Sequence, residues 1–329
     1  MGRAALRAGG PGYHRFVSDA GERLASEVGA ALGLAVAGVE AVEGDASRRM
    51  FYRLALRQGS VIAAVYPEGA EEQVERDVRV QRWGYARSLP IPEPLGHSGR
   101  VSLSEDLGSR DLERAVREHG SAPLIGALEA LRAFQECEWG DCPTPPFDAA
   151  FFRRELAVFE QFGMPQGDPA AGAASEFLDG LCARLAAHPF RLVHRDYHVN
   201  NLFQCGGRVR AVDYQDMRGG PDTYDAVSLL RERAGGECIV SDREWQERAA
   251  ALLSWDAGSR ERYLECAAQR GVKVVGTFLR LASWGRPHYL AWLPLVRRRA
   301  AEALVELGAP RSLVDAVQPP NQPAATPSL

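Results

Sequence analysis

Three oxygen-bearing side chains, Asp196, Asn201 and Asp213, stand at intervals that suit phosphoryl transfer. The first two lie in His194-Arg195-Asp196-Tyr197-His198-Val199-Asn200-Asn201, and Asp213 follows twelve residues after Asn201 in Val212-Asp213-Tyr214-Gln215-Asp216. Moving a γ-phosphoryl group needs positioning and charge neutralisation more than covalent chemistry. One carboxylate must hold and deprotonate the incoming hydroxyl, and other oxygen ligands must hold Mg²⁺ against the β- and γ-phosphates of ATP. Asp196 fits the first task. Asn201, five residues on, supplies a metal ligand from the same loop, and Asp213 supplies the second. Between them, Leu202-Phe203-Gln204-Cys205 and Val209-Arg210-Ala211-Val212 are short apolar runs about Gly206-Gly207, a hairpin pattern that brings Asn201 and Asp213 together. His-Arg-Asp alone recurs by chance, and Asp-Tyr-Gln-Asp alone could be a solvated turn. Both in order around a hairpin favour the chemical reading.

The elements that would carry this loop divide into two kinds. Up to about residue 103, strand-like runs at 39–42, 51–56 and 60–66 follow a helical pattern over 21–34. A second helical pattern over 71–87 is closed by Pro90, Pro92 and Pro94, and residues 101–104 form a last short strand. The expectation is a small antiparallel sheet with a helix packed on it. Glu105-Asp106-Leu107-Gly108 sits where a hinge would fall. Beyond it, apolar residues at three- and four-residue spacing mark helices over 122–137, 149–162, 170–187, 222–234, 242–255, 259–269, 275–283 and 289–307. The chain is therefore expected to be α+β, with an N-terminal lobe over 1–104, a mainly helical catalytic lobe over 105–318 and a Pro/Ala/Ser-rich disordered tail over 319–329.

Length and charge narrow the function classes. The chain has 329 residues, 46% of them apolar, enough for a substantial core. A net charge of −4 without a basic stripe excludes a nucleic-acid binder, and Arg297-Arg298-Arg299 reads as one helix's solvated face. The six cysteines form no Cys-x-x-Cys pair, which argues against zinc and disulfides and for a reducing cytoplasm. No run is long enough to span a membrane, and the N-terminal residues lack the apolar stretch of a secretion signal. Lys273 is the only lysine of the chain.

Taken with Gly44-Asp45-Ala46-Ser47, Arg49, Arg53, Glu105-Asp106-Leu107-Gly108, residues 212–230 and Lys273-Val274-Val275-Gly276-Thr277-Phe278-Leu279-Arg280-Leu281, the loop resembles that of the aminoglycoside phosphotransferase superfamily, whose fold is bilobal and protein-kinase-like. More narrowly, the chain resembles bacterial anomeric kinases of N-acetylmuramate and N-acetylglucosamine. The resemblance implies Asp196 as catalytic base, His194 as a brace of the loop, and Asn201 and Asp213 as Mg²⁺ ligands. It places backbone N–H groups of Asp45, Ala46 and Ser47 near nucleotide phosphates, with Glu105 and Leu107 as further nucleotide-site candidates. A helix-start carboxylate, Asp225, would accept backbone N–H bonds from the catalytic loop.

The chain departs from the broad kinase pattern at Val61-Ile62-Ala63-Ala64-Val65-Tyr66, which has no lysine to reach the α- and β-phosphates. Lys273 is expected to lie far from that strand, in the helical part. Arg49 or Arg53 are candidates for the missing cation, because a guanidinium pairs bidentately with phosphate oxygens. Asn200 stands where the sugar-kinase relatives tend to carry arginine.

An acceptor sugar needs convergent polar groups near the base. Asp216, Arg218 and Arg286 are the candidates, with Tyr197, His198, Gln215, Trp284 and Tyr289 nearby in sequence, and either arginine could meet a carboxylate of the substrate. Trp284 and Tyr289 read equally as core aromatics, and Glu155 as a solvated helix position. The resemblance implies a small-molecule sugar as substrate, and the chain is expected to be a cytoplasmic monomer with neither nucleic acid nor membrane as partner. Two alternatives stand beside it: a kinase for another small hydroxylated acceptor such as an aminoglycoside, and a nucleotide-binding pseudokinase, prompted by the missing strand lysine.

Overall fold

The computed structural model describes residues 35–42, 49–164 and 171–319, together with Val28 and Gly33. The expected phosphate-side turn at Asp45, Ala46 and Ser47, most of the helical pattern over 21–34 and nearly all of the C-terminal tail lie outside the described residues. The chain forms two compact units, one up to Gly108 and one from Ser109 onward.

The first unit contains β1 (Val36–Val42), β2 (Met50–Leu56), β3 (Ser60–Val65), α1 (Glu71–Tyr85), β4 (Pro94–Ser98) and β5 (Val101–Glu105). The strands form one antiparallel sheet in the order β1-β2-β3-β5-β4. Alternation along β3 explains its central place, since it buries both faces. Val61, Ala63 and Val65 join Tyr52, Leu54, Val101 and Leu103 in one core, whereas Ala64 and Tyr66 pack with Val74 and Val78 of α1. The strand β4 falls where the prolines suggested only a helix stop. It runs along the sheet edge and begins at Pro94, a position where the missing N–H disrupts no ladder.

The second unit opens with α2 (Leu112–His119), α3 (Pro123–Glu136), α4 (Ala149–Phe162) and α5 (Ala171–Ala186). Then β6 (Phe190–Val193), β7 (Leu202–Cys205), β8 (Arg208–Ala211) and β9 (Arg218–Pro221) form two small ladders, β6 with β9 and β7 with β8. The remainder is helical: α6 (Tyr224–Arg231), α7 (Arg233–Glu237), α8 (Asp242–Leu252), α9 (Ser259–Ser283), α10 (Leu293–Glu306) and α11 (Arg311–Val317). Asp148 and Asp111 cap α4 and α2, each accepting a first-turn backbone N–H, from Phe151 and Arg114.

The patterns over 259–269 and 275–283 belong to one helix. Gly271 does not end α9, because a Cβ there would lie 2.6 Å from Ala300 Cβ, so the glycine admits α10 instead of breaking the helix. The expected helix over 222–234 does break, at Glu232, into α6 and α7. Arg297-Arg298-Arg299 is not one solvated face. Neighbouring helical residues point about 100° apart, so Arg298 is exposed whereas Arg297 and Arg299 are buried. Arg299 donates to the carbonyls of Gly236 at 3.1 Å and Ile239 at 3.0 Å. No helix among the described residues is long and apolar enough to cross a membrane.

Candidate active site

The strand β6 delivers the chain to His194. It pairs with β9 through Val193 and Arg218, and the close approach needs Gly219 and Gly220, where a Cβ would meet Trp139 at 2.3 Å and Phe147 at 2.6 Å. After Asp196 the backbone makes a short 3-10 turn at Val199–Asn201 and enters the β7–β8 hairpin. Gly206 and Gly207 have φ of 57° and 78°, the left-handed pair that a two-residue type I′ turn demands. The hairpin is as expected from Gly-Gly, with its second strand beginning one residue earlier, at Arg208.

This geometry joins the three oxygen-bearing residues. Val212 N donates to Asn201 O at 2.9 Å, so the residue before Asp213 is tied to Asn201. Asn201 Nδ2 donates to Asp196 O at 2.9 Å, and Gln215 Nε2 donates to Asp213 Oδ1 at 2.8 Å. Two loop residues hold left-handed backbone, Arg195 at φ 80° and Asp213 at φ 64°. Such conformations are disfavoured for non-glycine residues and persist where their surroundings over-determine them. Asp225, at the start of α6, is one such constraint. Its carboxylate accepts His194 N at 2.5 Å and Arg195 N at 2.9 Å, as the sequence led us to expect. Burial pushes the Asp225 carboxyl up to about 7, against the pull of those two N–H bonds and Arg270.

His194 is fully buried, edge-on to Phe134 at 5.8 Å and to Tyr197 at 5.7 Å. Burial drives its pKa down despite the carboxylates of Asp213 and Asp196, so the ring is neutral at pH 7. Tyr197 belongs to the core and donates to Ala127 O at 2.8 Å, which removes it from the acceptor candidates. His198 is buried within the loop, its Nε2 3.4 Å from Asn201 Nδ2.

Two residues of the site were not legible in the sequence. Glu155 on α4 has a side chain only 9% exposed rather than solvated, and Lys273 on α9 pairs with it beside the loop. Lys273 Nζ lies 3.1 Å from Glu155 Oε1, and Arg195 Nη2 lies 3.2 Å from the same oxygen. Gln269 donates to Glu155 Oε2 at 3.1 Å, and Arg270 donates to Arg195 O at 2.6 Å. Gln269, Arg270 and Lys273 thus form the face of α9 turned to the catalytic loop. The available signal was the placing of these three polar residues on one helical face, between the apolar runs Ala267-Ala268 and Val274-Val275.

The charge of this face sets the state of Asp196. Burial alone would raise its carboxyl, but Lys273, Arg195, Arg270 and His198 outweigh burial and hold it far below the usual carboxylate range. Asp196 is therefore an anion at neutral pH, the state a general base requires. Glu155 is likewise kept ionised against its burial, by Lys273 and Arg195.

Arg195 extends the network to the acceptor candidates. Its Nη1 lies 2.8 Å from Asp216 Oδ2, and Arg218 Nε donates to Asp216 O at 3.0 Å. The Arg218 guanidinium lies over Phe151 at 4.7 Å and Phe147 at 5.3 Å. Asp216 and Arg218 therefore belong to the same cluster as Asp196. Arg286 does not: it precedes a 3-10 turn over Pro287–Trp292, and among the described residues its side chain joins no ion pair. Trp284 is exposed, whereas Tyr289 is core and packs on Phe278 at 5.3 Å. Asn200 is engaged by Glu113 and by Arg233, whose Nη1 donates to its Oδ1 at 3.2 Å.

The nucleotide-site candidates described in the first unit are Arg49, Glu105 and Leu107. Arg49 Nη1 lies 3.7 Å from Asp77 Oδ2. Glu105 accepts from Glu93 N at 3.1 Å through its side chain, and Leu107 is buried. Arg53 is held by Asp106, 2.6 Å from Nε to Oδ2, in an internal ion pair. As a metal donor set, Asn201 and Asp213 offer an amide oxygen and a carboxylate. With the Asn201 amide nitrogen given to Asp196 O, its oxygen is left as the acceptor end, and hard oxygen ligands of this kind suit Mg²⁺.

Known proteins resemble this chain in sequence and in fold. The phosphotransferase enzyme family model matches residues 38–266. An N-acetylmuramate/N-acetylglucosamine kinase of Neisseria meningitidis is 30% identical over 288 residues, covering 78% of this chain and 85% of that protein. Among solved structures, a choline/ethanolamine kinase family protein from Mesorhizobium loti superposes with a TM-score of 0.63 at 15% identity, covering 90% of this chain and 98% of the other. An aminoglycoside phosphotransferase from Streptomyces rimosus, in complex with ADP and streptomycin, gives 0.53 at 18% identity, covering 75% and 98%. The fold is the kinase-like one, a small antiparallel sheet unit followed by a mostly helical unit, and the chain belongs to the phosphotransferase enzyme family.

Proposed function

We propose that the protein is an ATP-dependent sugar kinase that phosphorylates the anomeric hydroxyl of N-acetylmuramate or N-acetylglucosamine. The observation that carries this reading is the ionised Asp196 tied through Asn201 to Asp213, in a chain related to a kinase of those sugars. Asp196 orients the sugar O1 and takes its proton as the O–P bond forms, while the bond from the γ-phosphorus to the bridging oxygen breaks and ADP leaves. Asn201 and Asp213 would hold Mg²⁺, which supplies charge neutralisation on the phosphates. His194 and Asp225 keep the loop in place. Asp216 and Arg218 contact the sugar. The sugar 1-phosphate suits use by a nucleotidyltransferase, in keeping with recycling of cell-wall sugars.

A polycationic acceptor fits less well, because Lys273, Arg195 and Arg218 stand among the carboxylates beside Asp196. The test is ATP- and Mg²⁺-dependent phosphorylation of N-acetylmuramate, N-acetylglucosamine, glucose and kanamycin, with Asp196→Ala as control. Formation of 1-phosphate from the two N-acetylated sugars by the wild type alone is the expected result. Turnover of kanamycin instead would overturn the acceptor assignment, and nucleotide binding without transfer to any acceptor would support a pseudokinase.

A further inference from the structure

Protein kinases set a lysine of the third strand against the nucleotide phosphates and orient it with a glutamate from the neighbouring helix. Here β3 and the residue after it read Ser60-Val61-Ile62-Ala63-Ala64-Val65-Tyr66, with no cation. The adjoining helix nevertheless carries a buried acid facing the sheet. Asp77 of α1 is only 3% exposed and accepts from Tyr66 Oη at 3.0 Å. A helix of this amphipathic kind does not bury a carboxylate without a partner of opposite charge.

One partner is Arg76 of the same helix, and a second comes from the residue just before the adjacent strand. Met50 pairs with Val65 in the β2–β3 ladder, so Arg49, one residue further, stands beside Tyr66. Arg49 Nη1 lies 3.7 Å from Asp77 Oδ2, and its guanidinium lies over the rings of Phe51 at 5.4 Å and Tyr66 at 5.7 Å. Arg76 occupies the other Asp77 oxygen at 2.9 Å. Arg49 is thus held by a carboxylate and two aromatic faces, its side chain 13% exposed. Arg53, the other candidate, is 24% exposed and turns its guanidinium to Asp106 and Glu40.

We propose that Arg49 is the phosphate-binding cation of the nucleotide site, with Asp77 and Tyr66 as its positioning residues. The strand-lysine and helix-glutamate pair is replaced by an arginine just before β2, a helix aspartate, and a tyrosine just after β3. A guanidinium grips phosphate oxygens through two parallel N–H bonds, which makes it a fit substitute. The inference rests on the nucleotide-dependent reading above, but not on the identity of the acceptor.

The test measures equilibrium binding of ATP, ADP and adenosine to the purified full chain and its variants. Arg49→Met should weaken ATP and ADP by about tenfold or more, the size of one charged hydrogen bond, and leave adenosine within about twofold. Arg49→Lys should recover much of the loss. Tyr66→Phe, which removes only the hydroxyl that fixes Asp77, should give a smaller loss in the same pattern, and Asp77→Asn a larger one if thermal melting shows it folded. Unchanged ATP affinity in Arg49→Met, or equal weakening of ATP and adenosine, overturns the proposal, the latter meaning that Arg49 only maintains the fold. If this pattern holds while no sugar is phosphorylated, only the acceptor reading fails. If sugar is phosphorylated without the pattern, only this inference fails.

Discussion

Lys273 and Glu155 meet one helical turn before a close crossing of α9 and α4. Gly276, three residues after Lys273, would place a Cβ 2.5 Å from the backbone nitrogen of Phe159, four residues after Glu155. Residues three and four apart share a helix face, so the glycine contact and the ion pair belong to one interface. A small residue at the crossing lets the two backbones approach closely enough for the ammonium to reach the carboxylate at 3.1 Å.

Gly276→Ala should therefore do more than lower helix flexibility. The added methyl meets backbone rather than a movable side chain, so α4 and α9 must separate, at a cost of about 1–3 kcal/mol. Thermal unfolding measures the loss, and kcat for sugar phosphorylation should fall with it because Lys273 retreats from Glu155. A variant as stable as the wild type would show that the crossing is looser than described.

Lys273→Met removes a cation that acts on Asp196 and Glu155 together. Glu155 keeps Arg195 and Gln269, so the stability loss should stay near 1–2 kcal/mol, below that of a buried charge left with no partner. Phosphoryl transfer should fall by about tenfold or more as the preorganised field at Asp196 weakens. Steady-state kinetics with Lys273→Arg alongside separates charge from shape, and wild-type kcat in Lys273→Met would exclude the residue from the site.

Asp225→Ala is expected to destabilise without abolishing nucleotide binding. It removes two hydrogen bonds to the backbone N–H groups of His194 and Arg195. Leaving a buried N–H group unpaired costs roughly 1–3 kcal/mol. Turnover should drop because Arg195 loses a support of its left-handed backbone. Denaturant melts and ATP binding, measured on the same preparation, distinguish this from loss of a proposed metal ligand, for which Asp213→Ala is the comparison.

The pH dependence of stability has an identifiable contributor away from the loop. Burial would raise the Glu265 carboxyl, but hydrogen bonds from His188, at 2.6 Å, and from Arg184 outweigh it and hold the pKa below its ordinary value of 4.5. A depressed carboxyl stabilises the fold above its unfolded pKa, and that contribution disappears as pH falls through the folded one. The Tm advantage of wild type over Glu265→Gln should be full above pH 4.5 and shrink below it. A difference independent of pH would rule out this linkage.

The catalytic hairpin was legible in the residues because its causes are local. Gly206-Gly207 sets the turn, alternating short runs set the strands, and the interval from Asp196 to Asn201 is a property of one loop. The sheet-then-helices organisation was legible for the same reason, since periodicity is local. β4 was hidden because edge position, which excuses Pro94, is a fact about neighbours and not about the segment. The continuity of α9 through Gly271 was hidden because Ala300, from another helix, decides it. Glu155 looked solvated and Lys273 had no role assigned to it, since a charged side chain's fate depends on what faces it. Only the crossing at Gly276 brings them together with Arg195, just as only the β2–β3 register and α1 bring Arg49 to Asp77. Local spacing carries the chemistry of the loop, and long-range packing chooses the charges around it.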